Sequence, residues 1–152
     1  MRRPFKSDGD GVAIRFSEVE RQFLLGLPYL LESVDGTPDD PAHQRLHVAA
    51  YPDDPAAQAE MTEYSGSQLA EERATDRARF TAALEAEQTV LSPEEAESWL
   101  TVLGDTRLAL AARIGIDEPG WEVADEEDPE RITLGFLSYL QDQLVTVLMG
   151  RL

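Results

Sequence analysis

Cysteine is absent from this chain of 152 residues. That excludes disulfides, thiolate metal ligands, cysteine nucleophiles and thiol redox sensing together, and leaves methionine oxidation as the only sulfur redox chemistry. Histidine is nearly absent as well, with two residues. Basic residues are scarce: 13 Lys and Arg stand against 30 Asp and Glu, for a formal net charge of -17. A field of that sign repels phosphate backbones and anionic membrane faces and steers basic partners inward, so autonomous DNA binding is not expected. No stretch approaches the roughly 18 uninterrupted apolar residues of a membrane span, and Met1 to Lys6 lacks the apolar run of a signal peptide. The expectation is a cytoplasmic protein without a membrane segment.

What is present suffices for one globular domain. Hydrophobic residues make up 42% of the chain and charged ones 28%, and 152 residues can bury one real core but not two. The whole of 1–152 is therefore expected to form a single domain, with residues 1–10 as a flexible arm whose Arg2, Arg3 and Lys6 form a solubilising tail. Residues 117–130, with eight acids and no base, are expected to form an acidic loop around Trp121.

The apolar pattern predicts a mainly α fold, a bundle of about five or six helices with a small two-stranded β ribbon. Ser17 with Glu20, and Ser92-Pro93 with Glu95, are capping boxes that satisfy free amides at helix starts. Each follows a short apolar run, 12–16 and 88–91, and these two runs are expected to pair as the ribbon. The first helix is expected to carry Phe16, Phe23, Leu24, Leu27, Leu30, Leu31 and Val34 at helical spacing, with a kink at Pro28. A short helix is expected over 41–50. After a stop at Tyr51-Pro52-Asp53-Asp54 another opens at Pro55, carrying Ala57, Met61 and Tyr64; Ser65-Gly66-Ser67 is read as punctuation before a charged helix reaching Glu87. The helix from Pro93 to Ile114 presents Ala96, Trp99, Leu100, Leu103 and Leu110, and Gly115 stands where a left-handed terminating residue belongs. The last helix runs from Ile132 to Met149 through Leu134, Leu137, Leu140, Leu144, Val145 and Leu148.

Two polar residues interrupt apolar stripes. Arg107 lies one turn from Leu103 and Leu110, and Gln141 lies between Leu137 and Leu144. A core-facing guanidinium or amide must be hydrogen-bonded, because a buried ion without a partner costs several kcal/mol, on the order of 3 to 5. A buried polar node is expected, in which Arg107 engages Asp54 or Asp105 and Gln141 joins by amide hydrogen bonds; it locks helices, with a partner site as the other reading. Arg113 belongs to the same candidate set. Arg73, Asp76 and Arg77 share a helical side with Leu69 and Phe80, and read as a solvated, self-paired strip.

Catalytic and metal signatures fail. His43 and His47 have the i, i+4 spacing of helical zinc sites, but Gln44 stands where a catalytic glutamate would, and there is no third histidine. Asp8-Gly9-Asp10-Gly11 lacks the continuation of a calcium loop and reads as a flexible turn. No nucleophile elbow, phosphate loop or dinucleotide fingerprint occurs. Neither a metal nor a cofactor is expected, and the chain is expected not to be an enzyme.

Several runs together resemble an actinobacterial family of unknown function, some of whose members are named oxidative-stress transcriptional regulators of the AosR type. They are Tyr51-Pro52-Asp53-Asp54-Pro55 with Glu60; Glu95-Ala96 with Trp99-Leu100, Leu103, Asp105, Arg107-Leu108-Ala109-Leu110 and Arg113-Ile114-Gly115-Ile116; and Tyr139-Leu140-Gln141 with Leu144-Val145 and Leu148. The resemblance implies a non-enzymatic regulator that contacts a sigma factor or other transcription machinery. It also implies cysteine-based sensing, which this chain cannot perform. The rival expectation is a structural adaptor with no transcription role; a homodimer is compatible with either.

Overall fold

A computed structural model describes residues 3–46, 55–115 and 128–150, with side chains for all of these except 55–68. Among the described residues the chain forms three short strands and six helices: β1 (Phe5–Asp8), β2 (Gly11–Ile14), α1 (Glu18–Leu25), α2 (Leu27–Asp35), α3 (Pro41–Leu46), α4 (Pro55–Glu85), β3 (Val90–Leu91), α5 (Pro93–Arg113) and α6 (Pro129–Met149). The mainly α class with a small β element is as the sequence indicates. Arg2, His47, the Tyr51 to Asp54 stop, and the acidic loop as far as residue 127, with Trp121, lie outside the described residues.

The ribbon pairs as expected, with Val12 opposite Leu91 and Ala13 opposite Val90 in antiparallel register. A third strand joins it. β1 pairs with β2 from Phe5 opposite Ile14 to Asp8 opposite Gly11, which corrects the flexible arm expected over 1–10. Gly9 alone in the two-residue turn has a positive φ, 57°, the pattern of a type II′ hairpin. The basic residues around Phe5 suggest a tail, but Phe5 itself is 1% exposed and sets its ring edge-on to Trp99 at 6.2 Å. Burying one such ring outweighs the charges that flank it, since those stay in water.

Both capping boxes form: Ser17 and Ser92 each accept from the third helical amide while Glu20 and Glu95 return to the cap amide. Pro28, which has no amide to donate, falls in the first turn of α2, so the expected kink appears as a break at Gly26 between α1 and α2. Ser65-Gly66-Ser67 does not interrupt α4, which runs unbroken for 31 residues. A lone glycine costs a helix only about 1 kcal/mol relative to alanine, too little to stop one flanked by Ala, Glu and Gln. α4 ends with Glu87 at φ 52° and the Gln88 amide on the Ala83 carbonyl at 3.0 Å, a Schellman arrangement completed by Glu87 to Leu84 at 3.1 Å.

α5 is the axis of the molecule. It touches α2, α3, α4, α6, β2 and β3. Trp99 and Leu103 are fully buried as expected, while Leu100 and Leu110 are only partly covered. A second stripe, Ser98, Val102, Thr106 and Ala109, is buried instead, because a helix with neighbours on several sides has no single inward face. The Trp99 ring sits among Phe5, Phe16 and Phe80, 4.5 Å from the last, and its Nε1 is buried without a partner. Gly115 takes φ 78° just past the helix end.

α6 starts at Pro129, three residues before the expected start, where the Asp128 carboxylate accepts from the Glu130 amide at 3.0 Å. Leu134, Leu137, Leu140 and Leu144 are buried, but Val145 is exposed. With a mean hydropathy of 1.2 over 18 residues, α6 is long and apolar enough to cross a membrane. A search for uninterrupted apolar runs does not detect it, because Gln141 and Asp142 divide the stretch.

Candidate functional site

The residues singled out as one polar node are distributed around α5 on different neighbours. Arg107 is half-buried and its Nε donates to Ser138 Oγ of α6 at 2.8 Å. Gln141 lies against α5 elsewhere along the same crossing: a Cβ built on Gly104 would stand 3.3 Å from Gln141 Nε2. Glycine at 104 thus makes room for the amide. Arg113, at the last turn of α5, reaches away from both. Its Nε donates to Asp40 Oδ2 at 2.9 Å and its Nη2 to Ser33 Oγ at 3.1 Å, tying α2 and the entry to α3 onto α5. The Ala42 amide and then Arg113 hold the Asp40 carboxyl below its ordinary range. Asp54 lies outside the described residues.

Asp105 does not serve Arg107. It faces α4, where burial raises its pKa and the nearby Arg73 and Arg77 guanidinium groups only partly offset that; Asp76 and Asp35 add to the rise. This corrects the solvated reading of the Arg73, Asp76 and Arg77 strip. Arg77 Nη1 pairs with Asp35 Oδ2 at 2.6 Å with its side chain 16% exposed, while its Nε and Nη2 are buried without hydrogen bonds. Arg73 Nη2 donates to the Leu46 carbonyl at 2.9 Å, and Ser98 Oγ donates to Asp76 Oδ1 at 2.8 Å. The strip is a partly covered set of charges that ties α4 to α2, α3 and α5. Periodicity could not locate it, because residues that share a helical side with Phe80 are covered only if another helix lies over them.

The polar groups just described bridge helices. Two openings lined by described residues lie on either side of the Arg15-Phe16 pair that leads from β2 to α1. One cavity of about 240 Å³ is lined by Pro4, Phe16 and Glu20 with Phe136, Tyr139 and Leu140 of α6. The other, about 300 Å³, lies against Arg21, Leu84 and Glu87. Arg15 borders both. In the second, Arg21 is already engaged, by Glu18 at 2.7 Å and the Leu84 carbonyl at 3.1 Å. Sequence reasoning missed these residues; the signal available was that Ile132 and Tyr139 fall opposite the leucine stripe of α6.

Among the described residues no group of three or more His, Cys, Asp or Glu is placed to hold a metal ion. The acidic side chains that shape the outer field include Glu71, Glu72 and Glu85 of α4, Glu87 beyond it, and Glu94 and Glu97 of α5, all exposed. Residues 2–148 match the family model described as a domain of unknown function, DUF2017. No curated protein matches the chain, and no solved structure does.

Proposed function

The chain belongs to the DUF2017 family, and from that membership and the layout of its charge we propose that it is a non-enzymatic regulatory module that works by binding another protein. Within the family the proposed kinship is with the actinobacterial AosR-type transcriptional regulators, and the proposed partner is a basic face of a sigma factor or of another transcription protein in the cytoplasm. The observation that carries this reading is the net charge of -17, part of which stands on the exposed Glu71, Glu72, Glu85, Glu94 and Glu97 of α4 and α5. Such a surface speeds encounter with a basic protein and opposes encounter with DNA. The interhelical contacts of Arg107, Arg113 and Arg77 support the same reading, since each fixes helices relative to one another. Regulation here runs without a thiol switch, the chain having no cysteine.

Affinity capture of the full chain from lysate tests the proposal. A sigma factor or polymerase subunit is expected in the bound fraction, and its loss at raised salt marks the contact as electrostatic. Retardation of promoter DNA by the purified chain alone, at physiological salt, contradicts it. Recovery of proteins unrelated to transcription points instead to the structural adaptor.

A further inference from the structure

The acidic charge is not spread evenly, and the exception has a definite place in the fold. Residues 3–21 carry four basic side chains against four acidic ones, and from 131 to 150 the only charged residues are Arg131 and Asp142. These two stretches meet in space. β1 packs on α6, and the 240 Å³ cavity lies beside that seam, between α6 and Pro4 with the Arg15-Phe16 link. On the outward side of α6, Ile132, Tyr139 and Met149 are 56%, 38% and 60% exposed. At 3.6 residues per turn they fall within an arc of about 100°. Asp142, also exposed, falls inside the same arc, so on a molecule of charge -17 this face is apolar and carries a single acid.

We propose that this face binds a second copy of the chain, with the two α6 helices antiparallel across a two-fold axis at Tyr139. A basic partner gains more from the acidic remainder of the surface, whereas a copy of equal negative charge approaches most easily where acids are fewest. The helix suits a self-complementary contact. Tyr139 is the middle residue of Pro129–Met149, so antiparallel pairing sets it against itself and sets Ile132 against Thr146 of the second copy. Gly135 faces open space, where an added Cβ would meet nothing within 4 Å, and it leaves a notch for the long side chain of Gln143 in the copy. Area decides how far the contact extends. A helix of this length is about 31 Å long and offers a strip of roughly 300 Å², against about 800 Å² per partner in a stable interface. The seam with β1 must therefore be covered too. Arg15, which makes no side-chain hydrogen bond or ion pair among the described residues, borders that seam and supplies a rim cation toward the acids of the second copy.

The absence of native cysteine makes the test clean, and its failure would leave the binding of a basic partner untouched. Sedimentation of the full chain is expected to give twice the 16.9 kDa of the monomer, with the dimer tightening as salt rises because screening weakens the repulsion between copies. Tyr139→Cys is expected to oxidise to a covalent dimer while Glu97→Cys stays monomeric under the same oxidation. Tyr139→Glu is expected to weaken association at least about tenfold, near 1.4 kcal/mol, without loss of helical circular dichroism. A chain that is monomeric at every concentration and salt overturns the proposal. So does a dimer indifferent to Tyr139→Glu, a cross-link that forms at Glu97→Cys and not at Tyr139→Cys, or a monomer that instead binds uncharged phosphatidylcholine vesicles through α6.

Discussion

At the scale of single residues, Asp105 is the most informative position, because it is a carboxylate kept where its charge is unwelcome. Burial raises its pKa above the ordinary 3.8, and Arg73 and Arg77 do not fully offset that. A raised acid pKa means that the folded state binds the proton more tightly than the unfolded one. Stability linked to this group is therefore greatest below 3.8 and is lost as pH rises through the folded value. Asp105→Asn should raise the thermal midpoint at pH 7, and the gain should shrink as the pH is lowered into the carboxylate range; melts of both proteins across that range check it. A variant less stable than the parent at pH 7 would mean that Asp105 is chiefly a counter-ion for Arg77, whose Nε and Nη2 lack other partners. Glu95 behaves oppositely. Burial works to raise its pKa, but the Ser92 amide and Gln88 outweigh that and lower it, so its contribution is lost as pH falls through the depressed value.

At the scale of elements, the legible parts were those whose causes are local. Ser17 with Glu20 and Ser92 with Glu95 name their own helix starts because each box closes within four residues. Replacing Ser92 by alanine should cost about 1 kcal/mol, read as a lower denaturant midpoint with an unchanged slope. β1 was not legible, because what turns a basic N-terminal stretch into a strand is Phe5 meeting Trp99, almost a hundred residues away. The hairpin it forms is held closely against β3. A Cβ on Gly11 would lie 2.5 Å from the Leu91 carbonyl oxygen and 2.9 Å from Val90 Cγ1. Gly11→Ala must then push β3 away, at a cost of about 1 to 3 kcal/mol; amide exchange should accelerate at Ile14, which donates to the Thr89 carbonyl at 2.9 Å. Protection at Ile14 equal to the parent's would show that the strands separate without loss. The polar residues expected to form one node do not gather into one among the described residues. Periodicity marks Arg107 and Gln141 as facing something, but only tertiary packing decides that Arg107 reaches Ser138, that Asp105 faces α4 and that Arg113 reaches Asp40.

At the scale of the whole molecule, charge divides the surface into two kinds of face. Acids stand out on α4 and α5, while α6 and the sheet beside it are nearly neutral. The first suits a basic protein and the second a copy of the chain. Composition predicts the first, because a surplus of seventeen negative charges must lie mostly outside. The second required the fold, which packs β1 on α6.

The most direct measurement is a titration of the full chain with the sigma factor or other transcription protein proposed as its partner, at low and at raised salt, beside a variant carrying Glu71→Lys, Glu72→Lys and Glu97→Lys. Charge-led recognition predicts that affinity falls about tenfold or more with salt and again with the reversal, while the fold, read by circular dichroism, is kept. Equal affinity in all of these conditions would contradict the account.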